Sequence, residues 1–353
     1  MAANMLLERI GLEWPIFQAP MAGTSTPAMA AAVSNAGGLG GLGIAAENVE
    51  GAQRMIRATQ ALTNRPFNVN VFCHRPAIAD AALETRWIER LRPEFTALGA
   101  EPPAALREIY QTFRGNAAMT ALLVEMRPAI VSFHFGLPDE DQVGALKQAG
   151  ILLFGSATSV AEALRLADAG IDAIVAQGYE AGGHRGVFDT AAPDDRLGTL
   201  ALVRLLARRC DRPVIAAGGI MDGAGIVAAL KLGAAAAQMG TAFVACPESS
   251  ADAGYRAALA GDAANHTVMT HAISGRPARC LANRFTRLAE KAPDAEIPDY
   301  PITYDLGKAL HAAGKAKSEF GFGAQWAGQG APLSRPMPAV ELVRTLAAEL
   351  QAA

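Results

Sequence analysis

Residues 212–249 read RPVIAAGGIMDGAGIVAALKLGAAAAQMGTAFVACPES, and their reading decides the fold. Val214–Ala217 is a short apolar run followed by turn residues, which predicts a buried strand. Gly218 and Gly219 come next and permit a tight turn with close approach of backbone to a ligand. Asp222 is a good N-cap, and the pattern predicts a helix over 223–232 that ends at Gly233. Residues 234–239 read as a second buried strand, closed by Gly240 and Thr241. Two parallel strands joined by a helix, each ending in glycine, suit the phosphate site that barrel enzymes build after their last two strands. The N–H groups of Gly219, Gly240 and Thr241 would then face the anion. The plainer alternative is a βαβ unit whose glycines serve only turns.

Outward from this stretch, strand signals fall at 15–19, 38–43, 66–72, 129–133, 151–154 and 172–176. Helical patterns separate them at 27–35, 47–62, 139–149, 160–169 and 200–209, and a closing helix is expected at 338–350. Eight strands with intervening helices predict an α/β fold, a (β/α)8 TIM barrel. A doubly wound open sheet is the alternative, since right-handed connections suit both. The count of eight and the glycine ends at 218–219 and 240 favour the barrel. The Gly-rich run over 38–43 lacks the Lys-Ser/Thr of a phosphate loop and sits where a strand is due, so it reads as a closely packed strand and turn. Two stretches break the strand–helix beat. Residues 73–126 hold helical patterns around 77–91 and 104–124, and residues 263–330 are rich in Pro, Gly and Arg. The expected division is a barrel over 1–72, 127–262 and 331–353, with insertions at 73–126 and 263–330 forming a small second domain that caps the substrate side.

The chain has 353 residues, 51% hydrophobic and 18% charged, so a large core is expected and disorder is not. A net charge of −3 gives no electrostatic reason to expect nucleic acid or an anionic membrane as partner. The four cysteines stand far apart with no CxxC pair, which excludes a readable zinc or thioredoxin-like motif. The first residues lack a signal-peptide apolar core, and no apolar run is long enough to span a membrane. A cytoplasmic location is the default expectation.

Barrel active sites lie at the C-terminal ends of the strands. Those ends carry Gln18, Pro20, Asn70, His134, Ser156, Gln177, Gly219 and Thr241. They supply amides and backbone donors but no carboxylate pair, which argues against glycoside hydrolysis. No HxH or HExxH pattern is present, so no metal is expected. A cofactor must carry the chemistry. A phosphate site beside amides that can bond a heterocycle points to FMN, with Asn70 and Gln177 each offering donor and acceptor. His134 can take a proton from an acidic carbon. A structural histidine bonded to a backbone carbonyl is the alternative. His184, preceded by two glycines, reads as a wall or lid beside the cofactor. Tyr300, Tyr304 and Lys308 are spaced i, i+4 and i+8, with Pro301 placing Tyr300 at a helix start. Two phenols and an ammonium on one face would bind a small anion; a plain amphipathic helix is the other reading.

These residues resemble a family. The segments QAPMAG (18–23), FNVNVF (67–72), VSFHFGLP (131–138), AQGYEAGGHRG (176–186), AAGGI (216–220), QMGTAF (238–243), SGRPAR (274–279) and WAGQG (326–330) are similar to nitronate monooxygenases, formerly called 2-nitropropane dioxygenases. VSFHFG and the Tyr300/Tyr304/Lys308 set resemble class I more narrowly. The resemblance implies an FMN-dependent barrel that oxidises alkyl nitronates, such as propionate 3-nitronate, with O2 to carbonyl compounds and nitrite. It implies FMN contacts at Asn70, Gln177, Gly182, Gly219, Gln238, Met239, Gly240 and Thr241. It implies His134 as the catalytic histidine, Tyr300, Tyr304 and Lys308 as substrate-binding residues, and no metal. A monomer or homodimer is expected. The rival readings are an NAD(P)H-dependent FMN reductase acting on a quinone or enoyl thioester, and a non-enzymatic FMN-binding protein.

Overall fold

The computed structural model describes residues 2–290 and 292–353. Its strands are β1 (Ile16–Gln18), β2 (Gly40–Gly43), β3 (Phe67–Phe72), β4 (Ile130–His134), β5 (Leu152–Ala157), β6 (Ala173–Gln177), β7 (Gly183–His184), β8 (Val214–Ala217), β9 (Ala236–Met239), β10 (Thr267–Thr270) and β11 (Ala278–Leu281). Eight of them pair in parallel in the order β1-β9-β8-β6-β5-β4-β3-β2. The two end strands meet at a bridge between Phe17 and Leu39. There Gln18 N donates to Leu39 O at 2.8 Å and Leu39 N donates to Ile16 O at 2.9 Å. The sheet therefore closes into the expected (β/α)8 barrel.

Local sequence explains most of the outer ring. Thr26, Asn48 and Asp222 start helices Pro27–Asn35, Val49–Leu62 and Gly223–Lys231 by accepting from the N–H three residues on. Gly233, with φ +108°, ends the helix of the opening stretch. The Gly-rich strand β2 is packed as closely as its composition suggests: a Cβ on Gly40 would collide with the Ala30 carbonyl of the neighbouring helix. The closing helix Ala339–Ala352 packs against Gly223–Lys231 and Pro27–Asn35, completing the ring. Helix Ala117–Met126 sits between Val49–Leu62 and Glu140–Gln148, the place of the barrel helix after β3. The helical pattern expected over 104–124 is thus shorter, and residues 101–116 carry no helix or strand.

The N-terminal end of the barrel is filled with apolar side chains. Leu6 and Ile10 of helix Ala2–Ile10 join Phe17, Phe154, Val175 and Ile215, and the Phe17 and Phe154 rings stack at 6.5 Å. The C-terminal end is left for a cavity. Over it lies a second apolar cluster that joins Trp87, Leu91 and Phe95 of helix Ala81–Ala97 to Phe285, Leu306 and Phe322. One link ties this cover to the barrel: β7, inside the long loop after β6, pairs antiparallel with β11, which pairs with β10.

Candidate active site

The main cavity opens at the C-terminal strand ends. It is lined by Asn70, His134, Gln177, Gly182, Gly219, Gln238, Met239, Gly240, Thr241 and Tyr304; of the candidates named from sequence, Tyr300, Lys308 and Gln18 do not line it, the Gln18 amide being held by Gly41 N and Ser25 Oγ. Met21, Tyr110, Ser132, His184, Tyr255 and Trp326 complete the wall. Tyr110 comes from the aperiodic stretch before Ala117, and no spacing in the sequence marks it. Tyr255, just before the second insertion, and Trp326, near its end, are tied by a hydrogen bond from the Tyr255 hydroxyl to Trp326 O.

His134 is placed by the end of β4, and one edge of its ring reaches the cavity. Its Nε2 lies 3.1 Å from the carbonyl oxygen of His184. A carbonyl can only accept, so Nε2 carries the hydrogen and Nδ1 presents a lone pair. Burial pushes the His134 pKa down to about 4, opposed by that hydrogen bond and assisted by Arg276 and Arg185. The ring is therefore neutral at neutral pH, with the Nδ1 lone pair unprotonated. The carbonyl-bonded histidine is what the structure shows: Nε2 is anchored on His184 O, and Nδ1 is left without a partner in the chain. Gln177 holds the same loop, donating to His184 O at 2.9 Å and accepting from Gly186 N at 2.7 Å. Gly186 has to be glycine here, because a Cβ would stand 2.8 Å from His134 Cε1. His184 itself forms the wall: its Nε2 and Ser274 Oγ are 2.9 Å apart, and its ring packs on Trp326 at 5.0 Å. Burial also lowers the His184 pKa, to about 3.

At the other end of the cavity, Gly219, with φ +71°, follows β8, while Gly240 and Thr241 follow β9. Among the described residues the N–H groups of Gly219, Gly240 and Thr241 donate to no acceptor of the chain. Three unpaired donors at a cavity wall could hold a phosphate. Gly182 and Gly328 close over it backbone to backbone. A Cβ on Gly182 would lie 2.5 Å from Gly328 N, and one on Gly328 would lie 2.6 Å from Glu180 O. Gly328 N also donates to Thr241 Oγ at 3.0 Å. Asn70 donates to Ser132 O at 3.0 Å and to Ser132 Oγ at 2.9 Å, leaving its Oδ1 as an acceptor at the cavity.

The helix expected to present Tyr300, Tyr304 and Lys308 on one face begins later than its proline suggests. It spans Ile302–Lys315, with Pro301 as its cap and a cis bond between Tyr300 and Pro301. Tyr300 precedes the helix, so the i, i+4 relation to Tyr304 does not hold. Its ring stands behind the wall, 5.4 Å from His184 and 5.5 Å from Phe135, and lines a smaller chamber. Tyr304 lines the main cavity. Lys308 is exposed, with Nζ 4.9 Å from the Tyr110 ring centre and 5.4 Å from that of Tyr304. It stands outside the two tyrosines that form the wall.

Among the described residues, no group of His, Cys, Asp and Glu is arranged to hold a metal. None of their helices is long and apolar enough to cross a membrane. The fold is a closed (β/α)8 barrel whose cavity, at the C-terminal strand ends, brings together three unpaired backbone donors and a buried histidine. A family model described as nitronate monooxygenase matches residues 3–349. A "nitronate monooxygenase" of Paraburkholderia phytofirmans is 62% identical over 98% of this chain and 94% of its own. Another, of Pseudomonas aeruginosa, is 55% identical over 97% of each. Among solved structures, a nitroalkane oxidase of Streptomyces ansochromogenes superposes with a TM-score of 0.90 at 40% identity, covering 99% of this chain and 98% of that one. The chain belongs to the nitronate monooxygenase family, and it is an oxidoreductase.

Proposed function

We propose that this protein is an FMN-dependent enzyme that oxidises alkyl nitronates with O2 to carbonyl compounds and nitrite. The observation that carries the reading is the juxtaposition in one cavity of an unpaired three-donor cradle at Gly219, Gly240 and Thr241 and a neutral His134 at the far wall. The residues present fit FMN: the cradle takes a single phosphate, and Asn70, Gln177, Gly182, Gln238 and Met239 line the space between it and His134. When bound, the flavin would accept electrons from the substrate and deliver them to O2. The chain's own residues orient and protect. Trp326, Tyr255 and Tyr304 shield the cavity, and His134 Nδ1 is the atom to receive a proton from a neutral nitroalkane. The barrel comprises residues 1–72, 117–262 and 331–353 in this reading, because helix Ala117–Met126 packs in the outer ring. Residues 73–116 and 263–330 form the cap.

Oxygen uptake with propionate 3-nitronate, run beside NADH, tests the reading. Nitronate-dependent uptake with nitrite release is expected, and acid treatment is expected to release FMN. Release of FAD would contradict a site built for a single phosphate. Rapid NADH consumption without nitronate turnover would favour the reductase, and neither activity would leave a binding protein.

Lys308 is the cation nearest this wall on its helix, and we assign it the attraction of anionic substrates toward Tyr110 and Tyr304. Because it is exposed, the effect is screened and worth no more than about 1 kcal/mol. Lys308→Met should lower kcat/KM up to about fivefold for a nitronate that also bears a carboxylate, and less for one with an uncharged tail. Equal losses on both would show that Lys308 only supports the helix.

A further inference from the structure

Behind Tyr300 lies the smaller chamber, with room for a single small occupant. Arg276, Tyr300, His74, Arg75 and Asp299 line it. Two of the residues that line it carry donors without a partner. Arg276 is 4% exposed; its Nη2 donates to Val187 O and its guanidinium lies 4.2 Å over the Phe135 ring, but Nε has no partner. Tyr300 is also 4% exposed, and its hydroxyl has no partner. Buried donors left unmade cost about 1–3 kcal/mol each, so an occupant that accepts from both is called for.

The charges of the wall decide what that occupant is. Arg75 and Asp299 neutralise one another through two contacts of 2.5 and 3.0 Å. Asp299 is further used by the N–H groups of Ile78 and Tyr300. His74, whose pKa burial pushes down to about 4, is neutral; its nitrogens make no hydrogen bond of good geometry, though the Tyr110 backbone is near. Arg276 makes no ion pair, and Glu162 and Asp299 act on it only at longer range. Arg276 thus brings to the chamber a buried positive charge with no ion-pair partner within 4 Å. A water could accept from both donors but would leave that charge standing. A monoanion answers both needs.

We propose that this chamber binds a small halide, chloride or bromide, held by Arg276 Nε–H and the Tyr300 hydroxyl. The Tyr300 ring packs edge-on to His74 at 5.1 Å and to His184 at 5.4 Å, so the bound ion stiffens the wall of the active cavity. The site is separate from the nitronate site and does not depend on that reading.

Thermal unfolding of the full-length protein as purified, in sodium chloride or bromide against sodium gluconate at equal ionic strength, tests the proposal. Halide at about ten times its Kd should raise Tm by about 1–3 °C, and the shift should grow with the logarithm of halide concentration. Crystals grown in bromide should show an anomalous peak between Arg276 Nε and the Tyr300 hydroxyl. Tyr300→Phe should raise the Kd for halide about tenfold, as expected for a lost hydrogen bond to a charged group, and so cut the Tm shift at the same halide concentration to about a third. Identical melting in halide and gluconate, or a chamber that holds water in bromide crystals, overturns the proposal. Should Tyr300→Phe fail to fold, the two wild-type measurements decide alone.

Discussion

His134→Asn is expected to lower kcat/KM on a neutral nitroalkane by about 10²- to 10⁴-fold, the range for a lost acid–base group. The preformed nitronate should lose much less, because it has no proton left to give. Asparagine keeps a polar side chain at the end of β4 and can still donate toward His184 O, so the wall is retained while the basic nitrogen goes. Steady-state kinetics on both substrates make the comparison. Equal losses would show that the histidine does not take the proton. The pH profile adds a second check with a definite sign. Burial holds His134 near a pKa of about 4. The base is then unprotonated above that value, so activity on a nitroalkane should stay level as pH falls from 8 to about 5 and decline only as it passes through about 4. An ordinary imidazole would lose activity at about 6.5. A decline centred there would mean that His134 is better hydrated in the working enzyme than in this structure.

Gly182→Ala is expected to weaken cofactor retention by about 10- to 100-fold with little change in fold. Its added Cβ meets backbone on the other side, at 2.5 Å from Gly328 N and 2.6 Å from Ala327 C. Neither can swing away as a side-chain tip would, so the 326–330 segment must shift. Overpacking of this kind costs about 1–3 kcal/mol. Here the cost falls on the loop that Gly328 N anchors to Thr241 at 3.0 Å, beside the cradle, and not on a barrel strand. Flavin content after dialysis reads the effect, with far-UV circular dichroism as the control for folding. Full retention at wild-type affinity would show that the segment is not part of the cofactor site. Loss of the fold itself would show that Gly182 serves the barrel.

The two substitutions also separate what the chain declares locally from what only its folding creates. Strand β8, the turn at Gly218 and Gly219, the cap at Asp222 and strand β9 are set by neighbours in sequence. Apolar runs, glycines and capping side chains act over a few residues, and the barrel follows from repeating them. The same local logic carried Asn70, His134, Gln177, Gly219 and Thr241 to one rim, because residues at strand ends share it in any closed parallel barrel. Other features depend on contacts across the chain. Strand β7 is two residues long and exists only because β11 pairs with it from some ninety residues away. Tyr110 reaches the cavity from a stretch without periodicity, since its position is set by packing against Phe135, Tyr300 and Tyr304 rather than by its own backbone. Tyr300 left the expected helical face because the chain turns at Pro301 before the helix begins. The protonation of His134 is likewise tertiary: its residue type was legible, but its low pKa and free Nδ1 arise from burial and from the carbonyl of His184, fifty residues on. Sequence by itself determined the barrel, its rim and the family, because periodicity, capping and motif order are local. Tertiary structure alone decided which side chains share a wall and which nitrogen is basic, because desolvation and hydrogen bonding are set by whatever packs alongside.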